Sequence, residues 1–272
     1  MQDERPRATD SSDRRSLSLV IPAFNEKKRL PGLLEALRTG ADAAVTEAGM
    51  ELLEVLVVDD GSSDGSRRSL AEAAEGDDRL QAVLAYEENR GKGAAVAAGV
   101  TRARGDYVLL ADADLSTPLE ELPKLAKALR DGADVAVGSR HVPGAVVERG
   151  PLRRKLTGGA FSGVVRMLTG LRVRDTQNGF KLLRTEDAQR LFAEQICRGF
   201  AFDVELLMRA DRAGLRIVEV PVVYLHDARS SVHIASASTQ MLRDVIALTW
   251  RLRVRSGEAR PATAEPDVVR RS

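Results

Sequence analysis

Asp106-Tyr107-Val108-Leu109-Leu110-Ala111-Asp112-Ala113-Asp114 is the stretch on which the reading of this chain turns. The apolar run reads as a short buried strand, and it ends in two carboxylates two residues apart. Carboxylates that emerge from a buried strand are costly to leave unpaired. Hard divalent cations such as Mg²⁺ or Mn²⁺ take oxygen ligands of this kind together with substrate phosphates. The plain alternative is an acidic surface turn, and a D-x-D string alone does not separate the two.

Working outward, short apolar runs alternate with amphipathic stretches. Strands are expected at Leu17 to Pro22, Leu53 to Asp59, Leu80 to Ala85, Tyr107 to Ala111 and Val135 to Val137. Helices are expected at Lys28 to Thr46, Asp64 to Glu75, Lys92 to Arg104 and Pro118 to Arg130, the last with Thr117 as N-cap. Strands this apolar, alternating with helices, imply an α/β fold with a mostly parallel, Rossmann-like sheet flanked by helices. The pattern then changes. Pro151 to Leu171 reads as helical, Asp175 to Lys181 as a polar loop, and Asp203 to Ala213 as a helix. Leu215 to Val220 reads as a strand, Pro221 to Val232 as a loop and Ser236 to Arg253 as a final amphipathic helix. With no repeat or linker between the parts, one domain over residues 17–253 with an elaborated C-terminal half is expected, between tails at 1–16 and 254–272 that read as disordered.

Composition narrows the function classes. The 272 residues suffice for a sizeable core. Lys plus Arg number 41 against 40 Asp plus Glu, so overall charge offers no argument for nucleic acid. The one cysteine, Cys197, excludes an intrachain disulfide and a cysteine zinc cluster, fits a reducing compartment, and is expected in or near the core. His141, His226 and His233 are scattered without zinc-site spacing. Neither a P-loop nor a G-x-G-x-x-G string is present, which disfavours a P-loop ATPase and a Rossmann dehydrogenase. No nucleophile-elbow set is visible. The N-terminal stretch lacks the apolar core of a secretion signal, and no run approaches the roughly 18 apolar residues of a membrane span.

In open α/β sheets ligands sit beyond the carboxyl ends of the strands. Three expected strands end in acidic or amide clusters: Pro22-Ala23-Phe24-Asn25-Glu26, Asp59-Asp60-Gly61-Ser62 and Asp112-Ala113-Asp114. Parallel strands would bring all three to one rim. Asp112 and Asp114 can hold a metal that bridges a diphosphate. Glu26 and the Asp59/Asp60 pair suit hydrogen bonds to a ribose or a base edge. Turn formation before the helix at Asp64 is the plain alternative for Asp59 or Asp60. Asn89-Arg90-Gly91-Lys92-Gly93 opens a helix with glycines and a lysine, which favours phosphate contact.

In this order and spacing the chain resembles a family 2 glycosyltransferase with the GT-A fold. The resemblance rests on PAFNE at Pro22 to Glu26, VVDDGSSDG at Val57 to Gly65, NRGKG at Asn89 to Gly93 and DADLST at Asp112 to Thr117. It continues through GSR at Gly138 to Arg140, DTQNGFK at Asp175 to Lys181 and FDVELL at Phe202 to Leu207, and covers about residues 17–250. The last two motifs most resemble dolichyl-phosphate β-glucosyltransferases, with polyprenyl-phosphate mannosyltransferases close behind. The resemblance implies a nucleoside pocket lined by Pro22, Ala23, Phe24 and Glu26, with Asp59 or Asp60 reading base or ribose. Asp112 and Asp114 would carry Mg²⁺ or Mn²⁺, with Ala113 and Lys92 also at the donor. Arg140 and one of Arg153 or Arg154 would bind an acceptor phosphate. Asp175, Gln177, Lys181, Asp203 and Glu205 would shape the sugar and acceptor end, and Arg229 would close over the diphosphate.

The reaction this implies is inverting transfer of a hexose, glucose from UDP-glucose in the favoured reading, to a polyprenyl or dolichyl phosphate. A hydroxyl acceptor needs a general base, for which Asp203 or Glu205 would have to serve. A phosphate monoester, with a second pKa of about 6, is already largely dianionic at neutral pH and needs basic residues to hold it. Arg149, Arg153, Arg154 and Lys155 form such a cluster, or else a solvated helix face. The apolar, small-residue stretch Leu156 to Leu171 behind it suits a bilayer interface or simple packing on the sheet. The final helix is expected to place its inner face in the core, with Trp250 a candidate for the interface. A cytoplasmic protein, peripheral at the inner face of a membrane and with room for a separate membrane partner, is the resulting expectation. The alternatives are a GDP-mannose-dependent mannosyltransferase, transfer to a glycan or small-molecule hydroxyl, and a nucleotide-sugar-binding scaffold without turnover.

Overall fold

The structure, a computed structural model, describes residues 15–80, 84–148, 162–225 and 234–254. Its centre is a seven-stranded sheet in the order β3-β2-β1-β4-β7-β5-β8. The strands are β1 (Arg15–Ala23), β2 (Met50–Asp59), β3 (Leu84–Ala85), β4 (Tyr107–Leu110), β5 (Val135–Ser139), β7 (Lys181–Arg184) and β8 (Ile217–Pro221). A two-stranded parallel ribbon pairs β6 (Val146–Val147) with β9 (Val223–Tyr224). The helices are α1 (Leu30–Glu47), α2 (Ser66–Ala74), α3 (Lys92–Arg102), α4 (Leu122–Arg130), α5 (its described part 162–169), α6 (Thr185–Ala193), α7 (Phe202–Arg212) and α8 (Ile234–Val254).

Two apolar clusters cover the two faces of the sheet. Leu19, Ile21, Val57 and Leu109 point with Leu33, Leu37 and Leu125 into one. Val20, Leu56, Val108 and Leu110 join Val96, Phe202, Leu207 and Leu248 in the other. Alternate residues of one strand thus enter opposite clusters, which is why the strands read as unbroken apolar runs rather than alternating ones.

Within the described residues the expected helices and strands are present, with shifts at their ends; residues 81–83 of the expected third strand and 151–161 of the expected Pro151 to Leu171 helix lie outside them. Several local features differ from expectation, among them the β6–β9 ribbon, whose Val223–Tyr224 strand lies in a stretch expected to be loop. Thr117 does not cap α4: a tight helical turn at Leu119–Glu121 follows Pro118, which makes no side-chain cap, and Thr117 Oγ1 instead donates to Asn178 Oδ1 at 3.4 Å. Helix α6 went unread. So did β7, because Lys181 and Arg184 bracket only two apolar residues, too few for a strand pattern. β7 runs antiparallel between β4 and β5, so the sheet is parallel on both flanks and antiparallel at that one strand. Leu182 and Leu183 are both fully buried there, one toward each cluster, and this makes four residues sufficient.

The inner face of α8 is core, as expected: Met241, Val245 and Leu248 are buried. Trp250 is 61 % exposed and stands outside it. Cys197 is half-buried against the second cluster, and its thiol is pushed well above its ordinary pKa by burial and by Glu205. No helix among the described residues is long and apolar enough to cross a membrane.

Candidate active site

The carboxyl ends of β1, β2 and β4 lie on one rim, because these strands are parallel and in register: Ala23 sits beside Asp59, and Val20 beside Leu110. β5 runs parallel to β4 through the antiparallel β7, so Arg140 leaves β5 at the same rim. Antiparallel direction also brings the start of β7, and the Asp175 to Phe180 loop before it, to that rim. The sheet order reverses at β1 and β4, where the crevice of an open α/β sheet opens.

The first two clusters are stitched to each other. Asn25 N donates to Ser62 Oγ at 2.8 Å, Ser63 N to Asn25 Oδ1 at 3.0 Å, and Glu26 N to Ser66 Oγ at 2.9 Å. Asn25 holds φ 55°, a left-handed conformation that asparagine tolerates well. Pro22 and Ala23 end β1, Phe24 is exposed at the rim, and Glu26 Oε1 accepts from Arg29 at 3.0 Å. Asp59 is fully buried; its Oδ2 accepts from Ser62 N at 3.3 Å and lies 3.5 Å from Arg67 Nε. Its Oδ1 accepts nothing from the described residues. A buried acceptor without a partner costs about 1–3 kcal/mol, which a ligand donor at this oxygen would offset.

Asp60 differs from expectation. Its Oδ1 accepts from Arg90 N at 2.8 Å, and its Oδ2 from Gly91 N at 2.8 Å and Asn89 Nδ2 at 3.0 Å. Burial lifts its pKa above the ordinary carboxylate range, against the pull of those amides. The carboxylate therefore ties down the loop before α3. Neither aspartate caps α2, but Asp59 takes part in the turn before it by accepting from Ser62 N, and Asp64 continues that turn, accepting from Ser66 N at 2.9 Å.

The anchored loop delivers Lys92, the first residue of α3, into the third cluster. Lys92 Nζ lies 2.7 Å from Asp112 Oδ1 and 5.6 Å from the centre of the Phe202 ring. Burial works against the Asp112 carboxylate, but Lys92, Lys181 and Arg140 together hold its pKa below the ordinary range, so it is ionised. Burial likewise works against the Lys92 ammonium, and Asp112, Asp203 and Asp114 more than reverse that. Asp114 Oδ1 accepts from Ser116 N at 2.9 Å, and Leu115 between them holds φ 45°. A leucine in the left-handed region is strained, and the turn that demands it carries both aspartates out of β4 with buried Ala113 between them.

Further along the rim, Arg140 grips Asp175 with a two-pronged fork, Nε to Oδ2 and Nη2 to Oδ1, each at 2.8 Å, and its guanidinium lies 4.9 Å from the centre of the Tyr224 ring. Asp175 is fully buried; burial alone would raise its pKa, and Arg140 brings it below the ordinary range. Lys181, also fully buried, forms an ion pair with Asp203 and donates to Asn178 O at 2.5 Å. Burial raises the Asp203 pKa despite Lys181 and Lys92. Gln177 Nε2 reaches Met241 Sδ on α8 at 3.2 Å.

Glu205 is not in this group. Its carboxylate accepts from Ile196 N at 2.8 Å, Cys197 N at 2.6 Å and Arg209 Nε at 2.8 Å, and it is buried. It holds the turn between α6 and α7 instead of shaping a sugar pocket. Arg153, Arg154 and Arg229, with Arg149, Lys155, His226 and His233, lie outside the described residues, as do residues 151–161 of the basic and apolar stretch. The chain enters and leaves two of those segments from neighbouring strands: Glu148 N donates to Tyr224 O at 2.9 Å in the β6–β9 ribbon. His141 is exposed.

Sequence reading missed Gly179. A Cβ there would lie 2.5 Å from Asp112 Cγ, so only glycine lets the Asp175 to Phe180 loop close over this aspartate. Its φ is not positive, so the requirement is space and not backbone freedom. The Asn-Gly pair was the available signal, and it reads equally well as an ordinary turn.

Among the described residues no group of three or more His, Cys, Asp and Glu side chains is placed to hold a metal ion. The two oxygens that Asp112 and Asp114 contribute are the donor set expected where a hard cation takes its remaining ligands from substrate phosphates and water. The residues present fit that group.

Comparison with known proteins agrees with the geometry. The family described as Glycosyl transferase family 2 matches residues 18–204. A dolichyl-phosphate beta-glucosyltransferase of Mus musculus is 35% identical over 259 residues, covering 89% of this chain and 79% of that protein. The polyprenol monophosphomannose synthase of Mycolicibacterium smegmatis is 31% identical, over 89% of each. Among solved structures, glucosyl-3-phosphoglycerate synthase from Mycobacterium tuberculosis, in complex with Mn²⁺, uridine diphosphate and glucosyl-3-phosphoglycerate, superposes with a TM-score of 0.63 at 21% identity, covering 86% of this chain and 80% of that one. The chain is a hexosyltransferase of the GT-A fold and belongs to glycosyl transferase family 2.

Proposed function

We propose that a single domain over residues 17–253 moves a hexose, glucose in the favoured reading, from UDP-glucose to a polyprenyl or dolichyl phosphate, with inversion at the anomeric carbon. The observation that carries the choice of acceptor is the state of the two carboxylates that a hydroxyl acceptor would need as base. Asp203 is ion-paired to buried Lys181, and Glu205 is saturated by two amides and Arg209. A lipid phosphate, ionised without help, needs neither. The names of the relatives that span nearly the whole chain support the same acceptor class.

In this reading Pro22, Ala23, Phe24 and Glu26 line the nucleoside, and the unpartnered Asp59 Oδ1 receives a donor from the base. Asp112 and Asp114 hold Mg²⁺ or Mn²⁺, which when bound neutralises charge on the leaving diphosphate. Lys92, at the N-terminus of α3, adds a positive charge and the helix dipole on the same group. Arg140, a quarter exposed beside its Asp175 fork, faces the acceptor phosphate with help from Arg153 or Arg154. The acceptor phosphate oxygen attacks the anomeric carbon in line, and the bond to the diphosphate oxygen breaks with its electron pair leaving on the nucleoside diphosphate. Exposed Trp250 and Ile246 on α8, the helix that touches Gln177, support a peripheral seat on a membrane, which this proposal assigns to the cytoplasmic face.

Incubation with UDP- and GDP-sugars, polyprenyl phosphate and Mg²⁺ or Mn²⁺, followed by mass analysis of the lipid, tests the proposal. A hexosyl-phosphoryl lipid from UDP-glucose is expected. Product from GDP-mannose instead would install the second reading, which the polyprenol monophosphomannose synthase favours. Product only on a free sugar hydroxyl would overturn the acceptor assignment. Full turnover by Asp114→Ala would remove the metal assignment, and equal loss of donor and acceptor binding in Arg140→Ala would remove the acceptor role of Arg140.

A further inference from the structure

We propose that Lys92 is the resident counter-ion of Asp112, and that a divalent cation reaches this aspartate only together with a nucleoside diphosphate that takes Lys92 in exchange. The inference rests on the metal–diphosphate reading above and adds the order in which the site fills.

Lys92 Nζ stands 2.7 Å from Asp112 Oδ1. Mg²⁺ binds a carboxylate oxygen at about 2.0–2.1 Å, so a cation on Asp112 would share its carboxylate with the Lys92 ammonium. Like charges this close repel strongly in a partly buried site, so the seated ammonium lowers the affinity for a second cation. Lys92 does not retreat easily. The loop that leads into it is held by the three hydrogen bonds that Asp60 accepts from residues 89–91. A Cβ on Gly91 would lie 2.5 Å from Arg198 O, and one on Gly93 2.6 Å from Phe202 Cβ, so the start of α3 is pressed against α7 and the turn before it. The Lys92 side chain is only 21% exposed, which leaves little water to receive its charge. The neighbouring carboxylate of Asp203 is already engaged by Lys181, and Asp175 by Arg140.

A bare cation that takes Asp112 and Asp114 must therefore displace an ammonium whose charge those same carboxylates offset. A diphosphate removes the obstacle. It brings more negative charge than Asp112 alone, at the N-terminus of α3 where Lys92 is rooted, and it supplies the oxygens that two aspartates lack. Metal and nucleotide then bind with positive coupling, and by linkage each raises the affinity for the other by the same factor.

Mn²⁺ binding to the full chain, followed by the loss of the free-ion electron paramagnetic resonance signal, tests this without reference to turnover. Mn²⁺ alone is expected to bind at least tenfold more tightly to Lys92→Met than to the wild type, while Lys92→Arg, which keeps the charge, stays near the wild type. Uridine diphosphate is expected to raise Mn²⁺ affinity in the wild type, beyond chelation in solution, and to raise it less in Lys92→Met. Unchanged or weaker Mn²⁺ binding by a folded Lys92→Met overturns the inference. So does a wild-type protein whose Mn²⁺ affinity is indifferent to uridine diphosphate, a measurement that needs no variant to fold. Asp112→Asn separates the two levels. If, with uridine diphosphate present, it binds Mn²⁺ like the wild type, the metal site itself is misplaced; if it then loses Mn²⁺ while Lys92→Met gains nothing with Mn²⁺ alone, only the counter-ion role fails.

Discussion

Replacing Lys181 with methionine removes a charge and keeps most of the volume, at a residue with no solvent exposure. Asp203 is then left buried without its ion-pair partner, and Asn178 O without its donor. Breaking a buried pair by removing one member costs about 3–5 kcal/mol. For a domain of this size that corresponds to roughly 6–20 °C in Tm. The sign with pH follows from Asp203. Burial already raises its folded pKa above the unfolded value, against the pull of Lys181, so the native state binds the proton more readily than the unfolded chain. Without Lys181 that pKa rises further. The deficit of Lys181→Met therefore grows as pH rises from the ordinary carboxylate range through the folded pKa, and it shrinks on acidification. Urea unfolding at pH 5 and pH 8, followed by far-ultraviolet circular dichroism, reads both quantities. The double variant Lys181→Met/Asp203→Asn should recover about 2 kcal/mol or more at pH 8, because no unpaired charge remains. A loss below about 1 kcal/mol, or a deficit equal at both pH values, would refute the view that this pair is dry and mutually dependent.

Three further outcomes are expected. Gly179→Ala places a methyl group against the Asp112 carboxylate and should lower kcat/KM by roughly 100-fold while Tm changes little, because displacement of a reacting group is punished more in rate than in stability. Asp60→Ala frees residues 89–91 and should raise KM for the nucleotide sugar about tenfold or more with a smaller effect on KM for the lipid, since the three hydrogen bonds it removes position Lys92. Glu205→Ala should cost roughly 3–5 kcal/mol of stability yet leave kcat/KM per folded molecule within about threefold, as a residue that secures a turn does and a general base does not.

Local sequence was sufficient wherever one strand and its following loop carry the information. Apolar runs bounded by polar clusters specify β1, β2 and β4, and parallel pairing of such runs needs nothing beyond their burial on both faces. The acidic clusters of Pro22 to Glu26, Asp59 to Asp60 and Asp112 to Asp114 therefore reach one rim for reasons visible in the chain itself. Other assignments depended on partners far away in sequence. Asp60 looks as available as Asp59 until the amides of Arg90 and Gly91 are found on it, and Glu205 looks like a second Asp203 until Ile196, Cys197 and Arg209 claim it.

The largest decision belonged to β7. Lys181-Leu182-Leu183-Arg184 has too short a pattern to announce a strand, and nothing local states its direction. Pairing antiparallel to both β4 and β5 places Lys181 beside Leu110 and Val137, and it turns the preceding loop back to the rim where the parallel strands end. Gly179 then meets Asp112, Asp175 meets Arg140, and Lys181 meets Asp203. Which residues are apolar, and which loops are acidic, is a local property written along the chain. Which carboxylate keeps a free oxygen is a property of long-range pairing, because buried charges must be neutralised by whatever the fold brings within reach.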